Sequence, residues 1–160
     1  MVIVVMGVAG SGKTTVGRLL AGELGWKFYD ADDFHPPENV EKMAGGVPLE
    51  DADRIPWLES LRDLIRGCLE RGEGAVLACS ALKGSYRDYL LVGEGVRIAY
   101  LKGDHELIRE RLNNRRGHYM KPEMLDSQFA ALEEPEPGTH FDISARPAEV
   151  AREIRKRLGV

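Results

Sequence analysis

Eight consecutive residues, Gly7-Val8-Ala9-Gly10-Ser11-Gly12-Lys13-Thr14, constrain this 160-residue chain more than any other feature. They satisfy G-x-x-x-x-G-K-[ST] in full, and the flanking residues have the periods that the motif requires. Before them, Val2 to Met6 is an apolar, β-branched run stopped by Gly7, which predicts a buried strand. After them, Thr14 to Leu24 carries Val16, Leu19, Leu20 and Leu24 at helical spacing and ends at Gly25. A strand-turn-helix of this kind needs a tightly curled turn. Gly10 and Gly12 permit the curl, so that successive N–H groups point inward at anionic oxygens. The start of the helix adds the positive end of its dipole. Lys13 is then placed to reach the β- and γ-phosphates of ATP, and the Thr14 hydroxyl to ligate Mg²⁺. With Thr15, residues 7–15 are the expected nucleotide-binding set.

The remaining chain alternates between apolar runs and amphipathic stretches. Strands are predicted at Lys27 to Tyr29, Ala75 to Cys79, Arg97 to Leu101 and Phe141 to Ile143, making five with the first. Helical patterns lie at about 52–71, 82–91, 104–113, 121–132 and 147–158. Alternation of this kind implies an α/β chain with a parallel sheet and helices on both faces, in one domain spanning 1–160. Two segments break the pattern: 32–50, rich in Pro, Gly and acids, and 114–120, Asn-Arg-Arg-Gly-His-Tyr-Met. Irregular segments inside a compact domain are often lids or substrate loops. A lid is therefore expected at about 114–120 and a substrate-binding region at about 32–58.

Several classes are disfavoured. Guanine readers carry Asn-Lys-x-Asp or Thr-Lys-x-Asp after a strand, whereas this chain has Leu101-Lys102-Gly103-Asp104 and no Asp-x-x-Gly anywhere. The net charge of -4 argues against a dedicated nucleic-acid binder. Two cysteines, Cys68 and Cys79, form no disulfide framework, and with His35, His105, His118 and His140 they match no zinc pattern. The N-terminal apolar run is too short for a signal peptide, and no stretch is long enough to span a membrane. A cytoplasmic location is the expectation.

Asp30-Ala31-Asp32-Asp33 closes the second strand, in the crevice where open α/β sheets bind ligands. Residues 30 and 32 point the same way there. Their carboxylates could take a hydroxyl proton and orient Mg²⁺ through water, with Asp32 the stronger candidate. Asp33 is better explained as a helix cap ahead of Pro36. Arg54, beside Trp57, and Arg87, in the segment after the third strand, are candidate anchors for a carboxylate. Each alone would more often be a solvated charge. Arg109 is expected in an ion pair with Glu106. Arg111 and Arg115 could close over ATP and balance charge on the transferring phosphoryl group.

Taken together, Asp32-Asp33-Phe34-His35-Pro36, Glu41-Lys42-Met43, Gly46-Val47-Pro48-Leu49, Asp53 to Leu58, Cys79-Ser80-Ala81-Leu82-Lys83, Tyr86-Arg87, Tyr100 to Gly103, Arg116-Gly117-His118 and Gln128-Phe129 resemble the gluconokinase family. The resemblance runs from the glycine-rich turn to about residue 147. It implies a nucleoside-monophosphate-kinase-like P-loop fold with a five-stranded parallel sheet and a lid. It also implies ATP-dependent phosphorylation of D-gluconate at its 6-hydroxyl, feeding the pentose phosphate pathway, in a homodimer. On that resemblance His35, Arg54, Trp57, Lys83, Arg87 and His118 join Asp32 as substrate-binding candidates, and Arg146 and Pro147 join Arg111 on the nucleotide. Ala31 stands where many members have Gly, and Glu133-Glu134-Pro135-Glu136-Pro137 looks shorter than in some relatives. Shikimate kinases and small nucleotide kinases share the cradle and the acidic strand end. An ATP-binding regulatory module is the alternative from another class.

Overall fold

The computed structural model describes residues 1–114 and 122–160. Among them, strands β1 (Val2–Met6), β2 (Lys27–Asp30), β3 (Ala75–Ala78), β4 (Val96–Lys102) and β5 (His140–Asp142) form one sheet in the order β2-β3-β1-β4-β5. Every pairing is parallel. The helices are α1 (Lys13–Leu24), α2 (Pro37–Ala44), α3 (Asp51–Glu70), α4 (Gly84–Leu90), α5 (His105–Asn113), α6 (Pro122–Ala131) and α7 (Pro147–Leu158).

β1 is buried throughout because both of its faces are covered, which is why it reads as an unbroken apolar run. Its side chains alternate between two cores. Val2, Val4 and Met6 pack with Trp57, Leu58, Leu61 and Ile65 of α3 and with Leu90 of α4. Ile3 and Val5 pack on the other face with Leu20 of α1, Ile108 of α5 and Ile154 of α7. Helix layers on both faces of a five-stranded parallel sheet are the expected architecture. Val5 aligns with Ala78 of β3, and Met6 with Tyr100 of β4, so the carboxyl ends of these strands lie level. The glycine-rich turn leaves β1 at that edge.

Part of the segment read as irregular is helical. Ala31–Phe34 is a 3₁₀ turn and Pro37–Ala44 is α2, with Pro37 opening the helix where a missing N–H does no harm. Its apolar residues Val40 and Met43 are exposed, so no core stripe marks it in the sequence. α2 is instead tied to α3 through polar groups: the Asp53 carboxylate accepts from Lys42 Nζ and from the Glu50 N–H, each at 2.9 Å. Capping also falls differently from the expectation. Pro36 is the N-cap of α2, with no side-chain cap from Asp33, and Asp30 caps the 3₁₀ turn before it, its Oδ1 accepting the Asp32 N–H at 3.0 Å. Arg109 is exposed, and among the described residues it forms no ion pair with Glu106.

Candidate active site

The cradle has a helix start left open for an anion. Gly12 occupies the N-cap of α1 at φ 95, with no side-chain cap and no acid in the first turn. By contrast, α2, α3, α5, α6 and α7 each carry Asp or Glu there. The first N–H groups of α1 therefore keep their donor capacity for a phosphate. Gly10, at φ 81, lies so close to α5 that a Cβ would come within 2.7 Å of Leu112 Cγ. Lys13 Nζ donates to Gly7 O and Val8 O, both at 3.0 Å, which holds the ammonium over the mouth of the turn. Ser11 Oγ is buried, with no hydrogen-bond partner among the described residues.

Ala9, Gly10, Gly12, Lys13 and Thr14 share one cavity of about 300 Å³ with Asp30, Asp32, Ser80 and Gln128. The phosphate cradle and the acidic strand end thus face the same space. Crowding by protein atoms raises the Asp32 carboxyl above its ordinary value, and Asp30 adds to the rise, while Lys13 and His35 oppose it. A carboxylate raised in this way holds a proton more readily than an isolated one, as a general base must. Cys79 also lines the cavity, but burial pushes its thiol up to about 12, so it supplies no thiolate at neutral pH.

His35 stacks on Trp57, with ring centroids 4.4 Å apart and planes at 12°. Trp57 is itself fixed by Nε1 donating to Ala31 O at 2.7 Å. Asn39 Nδ2 lies 2.8 Å from Asp53 O and 3.2 Å from His35 Nδ1. A backbone carbonyl only accepts, so that atom is the amide nitrogen, and His35 Nδ1 must accept from it. The ring is then neutral with its proton on Nε2. Burial lowers the His35 pKa, which favours the same form, while Asp32 pulls it up and Arg54 pushes it further down.

Beyond His35, Arg54 Nη1 donates to Leu49 O at 3.0 Å and to Tyr86 Oη at 3.4 Å. Arg54 and Lys83 each approach the Tyr86 ring, at 5.6 and 5.5 Å from its centroid. Lys83 Nζ and the Tyr86 hydroxyl both donate to the Asp51 carboxylate. Those two hydrogen bonds, Tyr86 first, hold the Asp51 carboxyl below the usual range. Donors around this aromatic ring therefore already accommodate one carboxylate.

Arg87 points elsewhere. It is buried, and Nη1 donates to Ala81 O at 2.8 Å and Leu82 O at 3.2 Å. Ala81 adopts φ 45, a left-handed conformation that is costly for a residue with a Cβ. Instead of facing the cavity as a carboxylate anchor, Arg87 braces the turn that carries Ser80 and Lys83. Arg87→Leu is expected to cost about 1–3 kcal/mol, because Ala81 O loses its donor while Leu82 O keeps the Glu133 N–H. Urea unfolding measures this loss. Unchanged stability with a raised KM for the acceptor would return Arg87 to direct binding.

Arg111 donates through Nη2 to Ile143 O, in the β5–α7 connection that carries Arg146 and Pro147. None of Arg111, Arg146 and Pro147 lines the cavity with Lys13 and Asp32. Arg115, His118 and the expected lid from 115 onward lie outside the described residues. Gln128 carried no assignment from its residue type, yet its Oε1 accepts the Ala9 N–H at 2.7 Å. Its pairing with Phe129 in a family-like segment was the only available signal.

Comparison with known proteins gives the family. A family model described as shikimate kinase matches residues 9–157. A probable gluconokinase of Rattus norvegicus is 48% identical, covering 98% of this chain and 97% of its own length. The chain belongs to the gluconokinase family. The thermosensitive gluconokinase of Escherichia coli K12 is 42% identical, over 97% of this chain and 86% of its own length. The crystal structure of a gluconokinase from Sinorhizobium meliloti 1021 superposes with a TM-score of 0.88 at 40% identity, covering 98% of this chain and 90% of that one. Among the described residues, no helix is long and apolar enough to cross a membrane.

Proposed function

We propose that this chain transfers the terminal phosphoryl group of ATP to the 6-hydroxyl of D-gluconate, giving 6-phospho-D-gluconate. The observation that carries the reading is the single cavity in which Lys13 and the open start of α1 meet Asp32. ATP would supply the phosphoryl group, and Mg²⁺ would shield its charge. Residues 7–15 fit a polyphosphate through backbone donors, Lys13 and the Thr14 hydroxyl. Among the described residues, no group of three or more His, Cys, Asp or Glu side chains is arranged to hold a metal. That suits Mg²⁺, which is commonly held by one or two protein oxygens together with substrate phosphates. Arg111, with Arg146 and Pro147, is the reading for the far side of the nucleotide.

On the acceptor side, Asp32 takes or orients the hydroxyl proton. Neutral His35 offers Nε2–H to a polyol hydroxyl, held in place by Trp57 and Asn39. Arg54 and Lys83, at the Tyr86 ring, fit the carboxylate at the other end of a six-carbon acid. The hydrogen bond that Lys83 already donates to the Asp51 carboxylate supports that role for Lys83. The protein is further read as a cytoplasmic homodimer, the first part checked by fractionation and the second by light scattering.

A coupled assay for ADP release across gluconate, glucose, shikimate and nucleoside monophosphates tests the reading. A hydrogen bond to a charged group contributes about 1.5–3 kcal/mol, so gluconate should exceed glucose by about 10- to 100-fold in kcat/KM. Arg54→Leu should narrow that gap by lowering gluconate turnover more than glucose turnover. Equal use of glucose, or preference for shikimate or a nucleotide, refutes the gluconate assignment.

A further inference from the structure

Gln128 joins two parts of the molecule that the mechanism has so far treated separately. It lies on α6, which is held against α5 and against the β3–α4 turn. Towards α5, Leu125 is buried, His105 Nε2 and Asp126 Oδ1 are 2.6 Å apart, and the His105 and Phe129 rings are 5.1 Å apart. Towards the β3–α4 turn, the Glu133 N–H donates to Leu82 O and the Gly84 N–H donates to Glu133 Oε1, both at 2.8 Å. Between these anchors, Gln128 reaches the phosphate turn at Ala9.

The chemistry of that contact fixes the orientation of the amide. The Ala9 N–H can only donate, so the atom facing it is Oε1 and the other branch of the amide is Nε2. Nε2 carries two hydrogens and has no hydrogen-bond partner among the described residues. The residue lines the same cavity as Lys13 and Asp32. It meets the turn beside Gly7 and Val8, the residues whose carbonyls hold the Lys13 ammonium. That is the end of the cradle to which the lysine of this motif brings the β- and γ-phosphates.

We propose that Gln128 is a ligand of the transferring phosphoryl group. Oε1 stays on the Ala9 N–H, and Nε2 donates to an oxygen of the terminal phosphate of a nucleoside triphosphate. The inference rests on the phosphotransferase reading but not on the identity of the acceptor. Gln128 therefore discriminates triphosphate from diphosphate, which a residue that merely props the turn would not do.

Two substitutions separate these roles. Gln128→Glu keeps an acceptor for the Ala9 N–H and loses the donor, whereas Gln128→Met loses both without adding charge. Isothermal titration with Mg²⁺ and either ADP or the β,γ-imido triphosphate, with no acceptor present, gives the readout. In both variants the imido triphosphate should bind about 10- to 100-fold more weakly, with ADP affinity within about threefold of wild type. The proposal is overturned if Gln128→Met weakens both nucleotides equally and Gln128→Glu restores them, since that pattern is support of the turn alone. It is also overturned if only Gln128→Glu loses the triphosphate, a charge effect, or if neither variant changes binding. A wild-type protein that bound neither nucleotide would remove the kinase reading itself. Retained discrimination in both variants removes only the role of Gln128.

Discussion

Asp32→Asn should lower kcat by about 10²- to 10⁴-fold, the range for losing a positioned general base, and should raise the melting temperature at neutral pH. The two effects have one cause. Crowding and the neighbouring Asp30 disfavour ionised Asp32 by more than Lys13 and His35 favour it, so the folded-state pKa lies above 3.8. The folded protein therefore holds this proton to higher pH than the unfolded chain does. The stability this group contributes is complete below the unfolded value and is lost as pH rises through the folded one. At neutral pH the carboxylate is ionised at a cost in stability, and a neutral amide of the same shape removes that cost. The activity of the wild type should show an acid limb above the ordinary carboxylate range, and the limb should vanish in the variant. A limb that persisted in the variant would belong to another group, such as His35, whose pKa burial lowers. Steady-state kinetics over pH and calorimetric melting test both halves. A variant retaining a tenth of wild-type turnover would remove Asp32 from proton transfer.

Lys13→Met is expected to leave the fold intact and cut turnover by about 10²- to 10³-fold, the loss typical of one preorganised donor at developing charge. The side chain belongs to no core cluster, so its removal opens no cavity in either one. What disappears is an ammonium held at 3.0 Å from both Gly7 O and Val8 O, already positioned before any phosphate arrives. Circular dichroism should be unchanged, and the KM for the acceptor should move less than kcat. Near wild-type turnover in a folded variant would exclude a charge-balancing role for Lys13.

The acceptor side shows how far local sequence reaches. Asp30-Ala31-Asp32-Asp33 reads as a carboxylate cluster at a strand end, but the assignment of caps among these residues went to Asp30. A 3₁₀ turn at Ala31–Phe34, which no apolar period marks, decides which oxygen meets which N–H. Residues 37–44 looked irregular because α2 buries Asn39 and leaves Val40 and Met43 exposed, so no apolar stripe of helical period is present. Arg54 and Arg87 are equally plausible carboxylate anchors on paper. Only their surroundings separate them: Arg54 lies against Tyr86 in a partly open site, whereas Arg87 is buried on two carbonyls of a strained turn.

From the sequence by itself followed the strand order along the chain, every helix except α2, the parallel sheet and the phosphate cradle. Each of these depends on residues within a turn or two of one another, where backbone geometry fixes which side chains and N–H groups face the same way. The composition of the site depended on the tertiary structure. Asp32, Ser80 and Gln128 meet Lys13 because β1 lies beside β3, β3 beside β2, and α6 reaches back over the carboxyl edge. Gln128 and Ala9 are 119 residues apart, a separation over which no local period carries information. What brings them together is the packing of two apolar cores on either face of one sheet.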